Sequence, residues 1–110
     1  MKTNALVKAK CQPCEKGMAA LPADQAFQML SELDGWIIAG DRIEKEFKFK
    51  NFTSALQWVN RVGALAESEN HHPDILMHDY RLVKISLWTH VANGLTENDF
   101  ILAAKIDGLG

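Results

Sequence analysis

What this chain lacks narrows its possible roles. Cysteine occurs twice in 110 residues, as Cys11-Gln12-Pro13-Cys14, and no second pair exists to complete a four-thiolate zinc site. A thioredoxin-like role would need the pair at a strand-to-helix junction, whereas Lys10 to Gly17 is a polar, unpatterned leader, so the motif is assigned no role. No apolar run approaches the ~18 residues of a membrane span. The N-terminus carries Lys2, Lys8 and Lys10 without the apolar stretch of about 7–15 residues that marks a secretory signal. A cytoplasmic location with no membrane partner is the expectation. Neither sign of charge dominates, since 12 basic residues face 14 acidic ones for a net charge of -2. Lys45, Lys48 and Lys50 interleave with Glu44 and Glu46, which describes a solvated strand face and no track for nucleic acid. Internal repeats and low-complexity tracts are absent.

What is present is the composition of a globular domain, 47% hydrophobic and 24% charged, at a length that suits one modest core. The expected organisation is a flexible leader over residues 1–20 and a single domain over 21–110. Pro22 suits a first helical turn, and Ala23, Ala26, Phe27, Leu30 and Leu33 follow at helical spacing, ending near Asp34-Gly35. Trp36 to Ile38 and Ile43 to Lys50 form a hairpin around Ala39-Gly40-Asp41-Arg42, with Phe47 and Phe49 facing opposite Glu46, Lys48 and Lys50. Trp36 is placed in the core. Asn51 is the N-cap of a second helix whose apolar stripe is Phe52, Ala55, Leu56, Val59, Val62 and Ala66. Gly63 weakens that helix by about 1 kcal/mol relative to Ala and is read as a packing site. Pro73 ends the segment and holds His72 extended. Ile75 to Met77 and Leu82 to Trp88 form a second hairpin, with Val83, Ile85 and Leu87 on one face. Asn93-Gly94 breaks the chain, and Thr96 caps a last helix with Asp99 three positions on, a capping box. The order is α-β-β-α-β-β-α. The fold class is α+β, a four-stranded antiparallel sheet with helices packed on one face.

Three of the four histidines, His71, His72 and His90, stand near the carboxylate Glu67 in the runs Glu67-Ser68-Glu69-Asn70-His71-His72-Pro73 and Trp88-Thr89-His90. Imidazole exchanges protons near neutral pH, so the cluster points to proton-transfer chemistry. Glu67 and His71 are four apart at the end of the second helix, a spacing that lets the carboxylate orient the ring and fix its tautomer. His72 must point to another side, and His90 at the end of the fourth strand can complete a three-histidine wall. His78 in its turn is read as a bystander. Three imidazoles and a carboxylate also compose a zinc-compatible set. No His-Glu-x-x-His signature occurs, however, and adjacent histidines splayed by a proline converge poorly on one ion. No metal is expected. Ser68 and Ser86 lack a nucleophile-elbow context, which disfavours nucleophilic catalysis.

The ordered set of Glu67, His71-His72-Pro73, Tyr80, His90 and Asp99, together with Gly35-Trp36 and Phe47 to Phe52, resembles the pterin-4a-carbinolamine dehydratase family over about Leu21 to Leu109. Ala92 stands where some members carry cysteine. The resemblance implies dehydration of 4a-hydroxytetrahydropterin to quinonoid dihydropterin, in support of tetrahydropterin recycling, with no metal and no organic cofactor. It implies that His71, His72, His90 and Glu67 form the catalytic set, with His72 and Asp99 as substrate-binding residues. His71 would be an acid for the leaving hydroxyl, His90 a second acid or base, and Glu67 the residue that orients His71. The implied partners are the small-molecule pterin, further copies of the chain in a homodimer or homotetramer, and, functionally, an aromatic amino acid hydroxylase. Because the family includes a dimerisation cofactor of a transcription factor, the alternative is a non-catalytic interaction or coactivator protein of the same fold.

Overall fold

Ile37–Ala39 (β1), Arg42–Lys48 (β2), Asp74–His78 (β3) and Leu82–Leu87 (β4) pair into one antiparallel sheet in the order β1-β2-β4-β3. This is seen in the computed structural model, which describes residues 4–13 and 17–109. Side chains alternate across a strand, so the register decides what is buried. Ile43 lies opposite Leu87 and Phe47 opposite Val83, and Ile43, Val83, Ile85 and Leu87 are all fully buried on the helix-covered face. The other face mixes charged and polar residues with the exposed Ile37 and Leu76. There Glu44 accepts a hydrogen bond from Ser86 Oγ at 3.1 Å and pairs with Lys84 at 3.5 Å. The β1–β2 connection is the two-residue turn Gly40-Asp41, with Gly40 at φ +64°, a conformation glycine adopts without strain.

Among the described residues four helices accompany the sheet: Asn4–Lys8 (α1), Ala23–Leu30 (α2), Phe52–Glu69 (α3) and Glu97–Asp107 (α4), with a short 3-10 turn at His90–Ala92. The α+β class and one-sided helix packing match the expectation from sequence. Asn51 caps α3 by accepting from Ser54 N at 2.8 Å. The buried stripe of α3 is Ala55, Trp58, Val62 and Ala66. Phe52 and Leu56, expected on that stripe, are 52% and 42% exposed, because centring the helix on Trp58 turns them sideways. A Cβ built on Gly63 meets nothing within 4 Å, so Gly63 is not a packing site within the described chain. Trp58 instead stacks with Phe47 and Phe49, at centroid distances of 4.4 and 5.1 Å. Phe27 of α2, also expected inward, is exposed. α2 ends at Leu30, and tighter bonds from Glu32 N to Met29 O and Leu33 N to Leu30 O carry the chain onward. Trp36 is buried as expected, and its Nε1 donates to Asp107 Oδ2 at 2.9 Å.

α4 is apolar around most of its circumference, with Phe100 to Ala104 and Ile106 all buried. Such a helix needs cover on every side. Part of that cover comes from the segment expected as a leader: Leu6 and Cys11 pack against the core, and Lys105 Nζ donates to the Val7 carbonyl at 2.8 Å. Gln12 and Asn98 exchange two hydrogen bonds, at 2.8 and 2.7 Å. Among the described residues no helix is long and apolar enough to cross a membrane.

Candidate active site

α3 terminates at Asn70, whose φ of 53° and ψ of 39° are left-handed. Asn70 N donates to Glu67 O and His71 N to Ala66 O, which closes a Schellman turn. The turn sends the two neighbouring histidines to different environments. His71 goes inward, 5% exposed, and its Nε2 lies 2.6 Å from Oδ1 of Asp99, a carboxylate with no exposure. Asp99 Oδ2 accepts from Thr89 Oγ1 and from Thr96 N, both at 2.9 Å. The second of these bonds belongs to the capping box of α4. Thr89 and Thr96 hydroxyls are 2.8 Å apart, and since the Thr89 proton is committed to Asp99, Thr96 is the donor between them. With carboxylate oxygen as acceptor, Nε2 of His71 carries the proton.

This arrangement corrects the expected Glu67–His71 pair. The helix ends before His71, so the i, i+4 relation no longer holds, and Glu67 Oε1 instead meets His72 Nε2 at 2.5 Å. That pair is exposed, at 57% and 79% of the two side chains. Asp99, expected to bind substrate, sits behind His71 and not on the cleft wall. His90 opens the 3-10 turn after β4, and its ring lies 4.3 Å from that of Trp88. The Trp88 Nε1–H is buried and without an acceptor among the described residues.

The three histidines expected from sequence do converge. His71, His72 and His90 line one cleft with Asn70, Trp88 and Val91, about 300 Å³ in volume, which is at the small end of ligand pockets. Glu67 touches the site only through His72. Trp88 was overlooked as a wall residue, although its spacing of two from His90 is the same-face period of a strand. A larger depression of about 510 Å³ is lined by Lys45, Phe47, Phe49, Trp58 and Asp107 and holds no histidine. His78, as a bystander, pairs with Glu46 at 2.6 Å outside the cleft. Among the described residues no group of three His, Cys, Asp or Glu side chains is arranged to hold a metal ion.

Cys11 is held apart from this chemistry. Burial, followed by the nearby Glu69 carboxylate, pushes its thiol up to about 12, so the nucleophilic thiolate is scarce. Cys14 lies outside the described residues. Burial works against ionisation of Glu69, yet its bond from Cys11 N at 2.9 Å and the Lys105 and Lys10 ammoniums outweigh it and hold that carboxyl below the usual range.

A buried His–Asp pair beside two further imidazoles on one cleft, in a one-sided α+β fold, describes the class of structure, and comparison gives the family. The sequence model of the pterin 4 alpha carbinolamine dehydratase family matches residues 19–109, and the chain belongs to that family. A Halorhodospira halophila relative that carries the enzyme name provisionally is 47% identical over 108 residues, covering 96% of this chain and 98% of its own. The mitochondrial pterin-4-alpha-carbinolamine dehydratase 2 of Arabidopsis thaliana is 44% identical, covering 91% of this chain and 56% of that protein. Among solved structures, the transcriptional coactivator/pterin dehydratase from Brucella melitensis superposes with a TM-score of 0.77 at 33% identity, covering 82% of this chain and 97% of that one.

Proposed function

We propose that this chain dehydrates a 4a-hydroxytetrahydropterin to the quinonoid dihydropterin by histidine acid–base catalysis. The observation that carries the reading is the convergence of three imidazoles from two chain segments on one cleft, one of them anchored by a fully buried carboxylate. The reaction asks for little else. As the C4a–O bond breaks, an acid delivers a proton to the departing hydroxyl, which leaves as water. The N5 lone pair forms the C4a=N5 bond, and a base removes the N5 proton. His71, fixed in tautomer and orientation by Asp99, is the acid for the hydroxyl. His90, on the other segment, is the second acid or base. His72, exposed and paired with Glu67, chiefly binds the pterin. Asp99 acts through His71 as a positioning residue, and no metal or organic cofactor is called for.

The reading places the chain beside an aromatic amino acid hydroxylase that produces its substrate, in the cytoplasm, and in a dimer or tetramer. The second reading, a non-catalytic interaction protein, draws on the exposed Phe52 and Leu56 of α3, and the Brucella structure's name joins a coactivator role with the dehydratase one. The test generates 4a-hydroxytetrahydropterin with a hydroxylase and follows its loss optically with wild type, His71→Ala and His90→Ala. Wild type should accelerate the loss and both variants should be impaired. A wild-type rate equal to the spontaneous one overturns the enzyme reading, and unimpaired variants overturn the assignment of acids.

A further inference from the structure

We propose that Arg42 and Trp88 form a stack that holds the His90 ring in the cleft, which makes both of them positioning residues for the proton transfer; their catalytic consequence rests on the dehydratase reading above. His90 needs such support. It is exposed on a 3-10 turn beyond the end of β4, and its ring makes no hydrogen bond to a described residue. The ring it lies against is Trp88, at 4.3 Å and an interplanar angle of 40°. Trp88 in turn carries the Arg42 guanidinium 4.7 Å from its ring centroid. A planar cation over an indole is among the stronger cation–π arrangements.

Arg42 is itself pinned. Its Nε lies 3.2 Å from Asp41 Oδ1, and its Nη1 lies 3.5 Å from Asp74 Oδ2. Asp74 opens β3 directly after His71-His72-Pro73 and is in register with Ser86 of β4. Arg42 therefore reaches from β2 across β4 to β3 and ties together the two segments that supply the cleft's histidines. His71 is located by a carboxylate, and His90 is located by a ring under a fixed cation. A histidine released from its neighbour samples three χ1 wells and two ring orientations, so the productive one is occupied about one-sixth of the time. Loss of the stack should thus lower kcat by about sixfold through His90 placement alone.

The test compares Trp88→Leu, Trp88→Phe and Arg42→Gln with wild type. The first readout is NMR of the His90 ring protons without substrate. In wild type the indole shifts them upfield from the free-histidine position. Trp88→Leu should return them to it, Trp88→Phe should keep part of the shift, and Arg42→Gln should move them partway back. The second readout is dehydration, where Arg42→Gln should lower kcat with little change in KM, Trp88→Leu should lower kcat, and Trp88→Phe should recover most of the loss. Arg42 is a partly exposed side chain, so its variant remains informative if Trp88→Leu fails to fold. Wild-type His90 protons at the free-histidine position, or kcat within about twofold in both Trp88→Leu and Arg42→Gln, overturns the proposal. Should wild type show no dehydratase activity, the reading of function fails while the ring shifts still decide whether the stack holds His90.

Discussion

Asp99→Asn isolates the contribution of the buried carboxylate without changing its shape. In wild type, Oδ2 takes two donors, from Thr89 and Thr96, and Oδ1 takes one from His71. An asparagine has a single acceptor oxygen. Facing Thr89 and Thr96, it keeps the capping box intact, but its amide then presents N–H to His71 Nε2. Two donors cannot bond, so the imidazole must shift its proton to Nδ1, the opposite tautomer. Replacing a charge-assisted bond of 2.6 Å in a site with no exposure should cost about 1–3 kcal/mol of stability, measurable by urea denaturation. The catalytic loss should be much larger, because the neutral amide no longer supports the imidazolium from which His71 would deliver its proton. A fall in kcat of about 10²–10⁴ is expected, the range for a positioned proton-transfer group. Two measurements decide the matter: stopped-flow decay of 4a-hydroxytetrahydropterin, and nitrogen NMR of His71, which reads the tautomer directly. A variant that turns over within about threefold of wild type while Nε2 stays protonated would refute the assignment of Asp99 as the positioning group.

Other outcomes follow from the same structure. Gly63→Ala should stabilise the chain by about 1 kcal/mol, seen as a rise in Tm, since the helix gains propensity and the added methyl meets open space; no gain would mean that this face is covered. Phe100→Ala should cost about 3–5 kcal/mol in urea denaturation, because its side chain is fully buried. Glu69 should make stability depend on pH in acid. Its folded pKa lies below the ordinary 4.5, so its contribution is complete above that value and is lost as pH falls through the depressed one. Glu69→Gln should be less stable than wild type at neutral pH, and the gap should close in strong acid. Cys11, with its thiol raised to about 12, should alkylate slowly at pH ~8 in the native chain and rapidly in urea, as peptide mass spectrometry would read.

Local signals carried most of the fold. Asn51 and Thr96 announced helix starts because a cap is written in neighbouring residues, and the alternation of Val83, Ile85 and Leu87 placed β4 on its correct face. Helical phase was harder. Phe52 and Leu56 outweighed Trp58 as candidates for burial, because hydrophobicity alone does not tell which of two adjacent apolar stripes the sheet will cover. The histidine cluster was legible as a group, since three residues of one uncommon type fell in two short runs. Their partners were not. His71 meets a carboxylate 28 residues away, a contact made by the docking of α4, whereas the nearer Glu67 was ruled out by a turn. The packing of Leu6 and Cys11 was hidden for a similar reason. Only the nearly all-round apolarity of α4 hinted that something had to cover its outer side.

The left-handed Asn70 is more than a stop signal. It works as a phase joint: one peptide unit beyond it, two identical side chains acquire opposite mechanical characters. His71 becomes a rigid part, locked to the frame by a buried carboxylate, and His72 a compliant one, tethered at the surface by Glu67. A single residue inserted at that joint would move His71 to the exposed place and leave the position opposite Asp99 to the newcomer, with every histidine still in the sequence.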